Sequence, residues 1–234
     1  ETSRMALKTI GNILIFGKEK IYKTCMSDYF LHIISKGLMG PDSRNQREAL
    51  RLVLIMSNDA TILQTLEGRE IFQDVYRCLS STSAVVKKTA LAVLVKLTNK
   101  KELSDSIIFK GGLGHLLKGL KFSTLDFESI KYALQVIENL SHDPIIAAIL
   151  GEFSFLEVIM KVTKLGPEHG LRPASVVIIR QDALSALRPI SKVTSNKLKL
   201  LEMGILNLLE IYLDKSIMDS IKLLALEVLA NFAT

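Results

Sequence analysis

One short phrase of sequence recurs through the chain at nearly constant spacing. Six times an Ala-Leu pair opens a run that is also apolar at its fifth and, in most cases, its eighth residue. The intervals between the six alanines are 43, 41, 43, 50 and 42 residues, and the alanines are Ala6, Ala49, Ala90, Ala133, Ala183 and Ala225. A period of about forty residues is typical of solenoid proteins, in which each repeat buries its apolar face only against its neighbours. The repeat therefore constrains the fold more than any single motif does.

Each repeat has the pattern of three helices. The recurring phrase has the apolar spacing of a helix with one buried face. Two further helical stretches separate successive phrases, and a glycine usually divides them: Gly68, Gly112, Gly151 and Gly204. Asp143-Pro144 also gives a helix-start signal, a capping residue before proline at the first helical position. Because strand-like alternation is absent, we predict an all-α fold.

The third helix of the repeat resembles that of the armadillo-repeat family. The family signature of Ala, an apolar pair and then Asn-apolar-small is present in residues 133–141, and residues 6–13 and 225–233 match it as well. The resemblance covers essentially the whole chain. It implies a right-handed α-solenoid of about five repeats, with a concave groove lined by the third helices. We predict one domain, residues 1–234, with third helices beginning near residues 4, 47, 87, 130, 178 and 221.

The third helices carry a basic stripe on the side opposite their buried face. At about 100° per residue, offsets −2, +2 and +6 from the alanine lie on that side, one turn apart. Of these eighteen positions seven are Lys or Arg, whereas the overall frequency of Lys and Arg would give about two. The seven are Arg4, Lys8, Arg47, Arg51, Lys88, Lys96 and Lys131. The last two repeats contribute no base and one acid, Glu227.

The stripe suggests a binding surface for a partner. Stacked like charges repel one another unless a partner or solvent screens them, and Arg pairs well with carboxylate or phosphate. The family resemblance implies that an extended partner segment binds along these positions and that Asn there bonds its backbone. We therefore predict an acidic protein segment as partner and ten binding residues: Arg4, Lys8, Asn12, Arg47, Arg51, Lys88, Lys96, Lys131, Gln135 and Asn139.

Other functions of the same surface stay open. Armadillo proteins that act as nuclear-import adaptors bind basic peptides with a Trp array, but this chain has no Trp and the opposite charge. The resemblance thus favours a scaffold or adaptor. Nucleic-acid binding, to RNA for instance, is an alternative, although the stripe has no aromatic residues for stacking. A membrane-tethered adaptor with its anchor outside residues 1–234 is another, and both chain ends fall in third helices, so we expect further repeats or caps.

The fourth interval, of 50 residues, contains about eight extra residues. Gly and Pro lie at both ends of residues 166–173, so we predict a loop insertion at about residues 166–175, and Pro189 should kink or end the third helix that follows it.

No pattern of a catalytic, cofactor-binding or metal-binding site is recognisable. The four histidines stand singly, and Gly111-Gly112-Leu113-Gly114 lacks the Lys-Ser/Thr of a phosphate loop. We therefore predict a protein that is not an enzyme and has no cofactor or metal. Two cysteines far apart in sequence suit a reducing compartment, so we expect a cytoplasmic protein; the tethered alternative would act on the cytosolic face of a membrane.

Overall fold

The computed structural model describes residues 2–16, 27–68, 70–101, 103–104, 107, 111–119, 126–152, 154–215 and 217–233. These residues form fourteen α-helices and one short 3-10 helix, and they contain no β-strand. No helix within these ranges is long and apolar enough to cross a membrane.

The chain divides into two compact units, residues 1–119 and 120–234. The helices of the first unit are α1 (Thr2–Phe16), α2 (Asp28–Met39), α3 (Ser43–Met56), α4 (Ala60–Gly68), α5 (Ile71–Cys78), α6 (Ala84–Thr98) and α7 (Gly112–Gly119). The helices of the second unit are α8 (Phe127–Ser141), α9 (Pro144–Glu152), α10 (Phe155–Thr163), α11 (Pro173–Ile190), α12 (Thr194–Glu202), α13 (Ile205–Tyr212) and α14 (Asp219–Ala230).

The third helices of the repeats pack side by side within each unit. In the first unit α3 lies between α1 and α6, and in the second unit α11 lies between α8 and α14. All six begin two to five residues earlier than the apolar phrase suggested. In three of them a helix-start residue stands well before the phrase. Asp42 accepts the Arg44 N–H at 2.9 Å, Asp126 accepts the Ser129 N–H at 2.8 Å, and Pro173 opens α11.

The recurring apolar phrase forms the core of both units. In the four inner third helices its residues are at most 1% exposed: Ala49, Leu50, Val53, Met56, Ala90, Leu91, Leu94, Leu97, Ala133, Leu134, Ile137, Leu140, Ala183, Leu184, Leu187 and Ile190. In the outer helices some of the same offsets are exposed, as with Ile13 at 45% and Leu226 at 50%, although Leu7 and Ala225 are buried. The inner helices have further packed neighbours: α3 contacts α1, α2 and α6, and α11 contacts α8, α9, α10 and α14. In contrast, α1 packs chiefly along α3, and α14 packs along α11 and α13.

Buried polar side chains join successive repeats. In the first unit Ser35 of α2 donates to Asp74 of α5 at 2.6 Å, and Arg77 donates to the same carboxylate at 3.1 Å. In the second unit the amide of Asn196, on α12, donates to the carbonyls of Ala147 and Ile190 at 2.8 and 3.3 Å. The bond to Ile190 satisfies a carbonyl at the end of α11 that would otherwise lack a donor.

The insertion forms a small surface loop and lengthens the helix after it. Pro167–His169 is a 3-10 helix, and Gly170 ends it with a φ of 77°, a left-handed conformation that favours glycine. The last residues of the inserted stretch belong to α11, which begins at Pro173 and runs for 18 residues. Pro189 lies in the last turn of α11, which ends one residue later.

Candidate partner-binding site

Two neighbouring third helices of the first unit each present a pair of cations. Arg4 and Lys8 lie one turn apart on α1, and Arg47 and Arg51 lie one turn apart on α3. Because α1 packs along α3, the four side chains line one open pocket of about 570 Å³. Met5, Thr9 and Glu48 complete its lining.

Glu48 is a buried acid among these bases. Its side chain is only 7% exposed, and its Oε1 accepts hydrogen bonds from Nη2 and Nε of Arg47 at 2.8 and 3.3 Å. Its Oε2 lies 3.8 Å from Nη1 of Arg51. Glu48 thus neutralises one cation and ties both guanidinium groups to one carboxylate. Four cations and one carboxylate leave the pocket with a net charge of +3.

The sequence stripe does not include Glu48, which lies at offset −1, at the edge of the stripe. A signal for it was available, since an acid three residues before Arg51 is a common ion-pair spacing on a helix.

The basic stripe continues on α6, which packs against α3. Lys88 and Lys96 occupy the same offsets there; Lys88 is half-buried and Lys96 is exposed. Asn12 is exposed on α1. The first unit therefore holds six of the seven stripe bases, and none of the six is buried.

The second unit has a mixed distribution of charge. Lys131, Gln135 and Asn139 are half-buried on α8. Beside them burial raises the pKa of Asp182, on α11, to about 6; Lys131 opposes the rise and Glu138 adds to it. Burial also raises the pKa of Glu138, against the influence of His142 and Arg188.

The stripe positions of α14 make contacts inside the second unit. Glu227 accepts a hydrogen bond from Arg188 at 2.9 Å. The amide of Asn231 donates to the Arg188 carbonyl and to the Ser191 hydroxyl, both at 2.9 Å, and so satisfies the end of α11. Asn231, a residue of the family signature, thus serves the packing of α14 on α11.

The described residues include no cluster of three or more His, Cys, Asp or Glu side chains suited to a metal ion. Cys78 is a buried free thiol on α5, and burial with a further contribution from Asp74 raises its pKa to about 12. Such a thiol is a packing residue rather than a nucleophile.

No protein-family model matches the chain, and no curated protein sequence matches it significantly. Solved structures do match. A computationally designed armadillo repeat protein for modular peptide recognition superposes with a TM-score of 0.80 at 21% identity, over 97% of this chain and 92% of that one. A designed armadillo repeat protein in complex with the peptide (KR)4 has a TM-score of 0.78 at 21% identity, over 97% and 92% of the two chains.

This chain has the armadillo-repeat fold. An engineered protein matches it over a still larger share, 99% of this chain and 92% of that one, with a TM-score of 0.78 and 18% identity. The prediction of an all-helical armadillo solenoid of about five repeats is confirmed. The stripe of bases therefore lies on the third helices of armadillo repeats.

Proposed function

We propose that this armadillo-repeat chain is a non-enzymatic protein-interaction scaffold and that its first unit binds an extended acidic segment of a partner protein. The observation that carries the proposal is the pocket between α1 and α3, which Arg4, Lys8, Arg47 and Arg51 line together with a single buried carboxylate, Glu48.

The charges of this pocket favour an anionic partner. A net charge of +3 on one open surface is costly, because neighbouring cations repel one another unless counter-charges approach. A guanidinium group has five N–H donors, and the contacts of Arg47 and Arg51 with Glu48 use only part of them. Carboxylates of a partner segment would supply both the counter-charge and the missing acceptors.

The spacing of the helices predicts the pattern of the segment. Packed helices lie about 8–10 Å apart, and an extended chain advances about 3.3 Å per residue. A segment crossing α1, α3 and α6 would therefore pass one third helix about every three residues. We expect acidic residues at that interval, facing first the pocket and then Lys88 and Lys96.

The remaining contact residues follow the same scheme. We propose that the amide of Asn12 hydrogen-bonds the backbone of the segment on the first unit. On the second unit, taken by itself, we propose the same role for the amides of Gln135 and Asn139, with Lys131 as the base beside them. We also expect the scaffold to act in the cytoplasm, where a free thiol such as Cys78 stays reduced.

One of the solved structures of similar fold holds the basic peptide (KR)4. In the present chain the third-helix stripe of the first unit is itself basic. We therefore expect the opposite charge preference.

A charge-reversal variant tests the proposal without disturbing the ion pairs of Glu48. Lys8→Glu, Lys88→Glu and Lys96→Glu together should weaken binding of fluorescein-labelled octaglutamate at least about tenfold in fluorescence anisotropy at low salt. The control variant Lys36→Glu, Lys101→Glu and Lys118→Glu has the same net charge, but its exposed positions lie outside the third helices. Equal weakening by both variants, or no binding by the unaltered chain, would contradict the proposal.

A further inference from the structure

We propose that the pocket between α1 and α3 is the site of a phosphorylated side chain in the bound segment and that it prefers a phosphate monoester to a carboxylate. This inference rests on the proposed function, since the phosphate belongs to the same acidic segment.

The amount of charge in the pocket is the first argument. A partner carboxylate would compensate one of the three net positive charges. A phosphorylated Ser, Thr or Tyr carries a charge of about −1.5 to −2 near neutral pH and three acceptor oxygens. It therefore compensates nearly twice as much charge at a single point.

The kind and position of the cations are the second argument. Arg47 and Arg51 lie one turn apart on one helix, and Arg4 faces them from α1 as a third guanidinium in the lining. Guanidinium groups bind phosphate with paired N–H donors, a geometry that lysine cannot reproduce. Lys8 adds a point charge, and the exposed hydroxyl of Thr9 adds a further donor to the lining.

Glu48 explains why geometry should matter here as well as charge. A carboxylate inside an anion site lowers its total attraction for anions. In return, the contacts at 2.8 and 3.8 Å restrict where Arg47 and Arg51 can lie before the partner arrives. Donors held in place in advance lose less freedom on binding, and this favours a ligand that fits their arrangement.

The rest of the first unit's stripe lacks this combination. The stripe bases of α6 are two lysines, Lys88 and Lys96, which are two helical turns apart, and α6 has no arginine. We therefore expect α6 to contact ordinary carboxylates and the pocket to bind the phosphate.

Three labelled peptides separate charge from phosphate recognition. One has a phosphoserine between two blocks of three glutamates, one has serine at that place, and one is octaglutamate, whose charge nearly equals that of the phosphopeptide. Binding of the phosphopeptide should be about tenfold tighter than that of octaglutamate, and the serine peptide should bind most weakly.

The outcomes distinguish the two proposals. If octaglutamate and the phosphopeptide bind equally well, the phosphate inference is wrong while the acidic-segment scaffold stands. If none of the peptides binds, the proposed function itself fails. Tighter binding of a single-stranded uridine oligonucleotide than of the phosphopeptide would overturn the phosphate inference in favour of nucleic acid.

A charge-conserving variant tests the role of the two arginines. Arg47→Lys with Arg51→Lys keeps every positive charge and can still pair with Glu48, so the chain should fold and melt as before. We expect the preference for the phosphopeptide over octaglutamate to fall from about tenfold to about twofold. The matched control Lys36→Arg should leave the preference unchanged, and an undiminished preference in the double variant would overturn the assignment.

Discussion

Glu48 and Asp182 each stand one residue before the alanine of the recurring phrase, in different repeats, and their surroundings differ. Glu48 is buried against two arginines, whereas Asp182 is half-buried and has one carboxylate oxygen, Oδ2, without a hydrogen-bond partner. A buried carboxylate depends on the cations and donors beside it. Removing an arginine beside Glu48 should therefore lower the stability of the fold, whereas replacing Asp182 with a neutral residue should raise it.

Removing the arginine that pairs with Glu48 should destabilise the first unit. Arg47→Ala leaves the buried carboxylate with the more distant Arg51 alone, and we expect a loss of about 1–2 kcal/mol in the free energy of unfolding. Lys8→Ala removes an exposed base of the same pocket and should cost less than about 0.5 kcal/mol. Urea unfolding of both variants measures the difference, and equal losses would show that Glu48 does not depend on Arg47.

Asp182 should make stability depend on pH. Its folded pKa, about 6, lies above the ordinary value of 3.8, so the folded state retains this proton more readily than the unfolded state. The free energy of unfolding therefore falls as pH rises from about 4 to 6, because Asp182 loses its proton in the folded state only at a cost. Above that range the loss of stability is complete.

The variant Asp182→Asn cannot ionise and should be more stable than the unaltered chain by about 1 kcal/mol at pH 7.5, a figure reduced for solvent screening. The gain should shrink toward pH 4.5 in urea unfolding at the two pH values, with Glu157→Gln, an exposed acid-to-amide change on α10, as the matched control variant. A gain that grows as pH falls would contradict this account of Asp182.

At the scale of helices, the repeat predicted the third helices well but not their ends or their outer faces. The apolar phrase identifies the buried side of α3, α6, α8 and α11, because each has packed neighbours that cover it. It says nothing about the polar first turn, where a cap such as Asp42 starts the helix earlier. It also does not show that Leu226 is half exposed, since burial depends on the neighbouring helix and not on the phrase itself.

Equivalent leucines of the second unit should therefore contribute differently to the free energy of unfolding. Leu184, on α11, is 0% exposed and Leu226, on α14, is 50% exposed, although both follow the phrase alanine directly. Leu184→Ala should lower the free energy of unfolding by about 3 kcal/mol, and Leu226→Ala by less than about 1 kcal/mol. Similar losses in urea unfolding would mean that another contact covers Leu226.

At the scale of the whole molecule, composition and the stripe together indicated a basic surface, and the structure shows where acids modify it. Glu48, Glu138 and Asp182 lie at offsets −1 and +5, which flank the stripe on the sides of the helix that face neighbouring helices. Counting stripe positions could not include them, because their effect depends on which helix packs beside them. In the first unit four bases share a pocket with one acid. In the second unit Asp182 lies near Lys131, and Glu227 pairs with Arg188.

Photo-crosslinking tests the central claim, that the third helices of the first unit bind an acidic segment, most directly. Octaglutamate with a photoreactive residue at its centre would be irradiated with the full chain, and the linked residues would be mapped by mass spectrometry. We predict links within α1, α3 and α6, near residues 4–12, 47–55 and 88–96, and their loss in the Lys8→Glu, Lys88→Glu, Lys96→Glu variant. Links concentrated on α2, α5 and α7 instead, and unchanged in that variant, would contradict the claim.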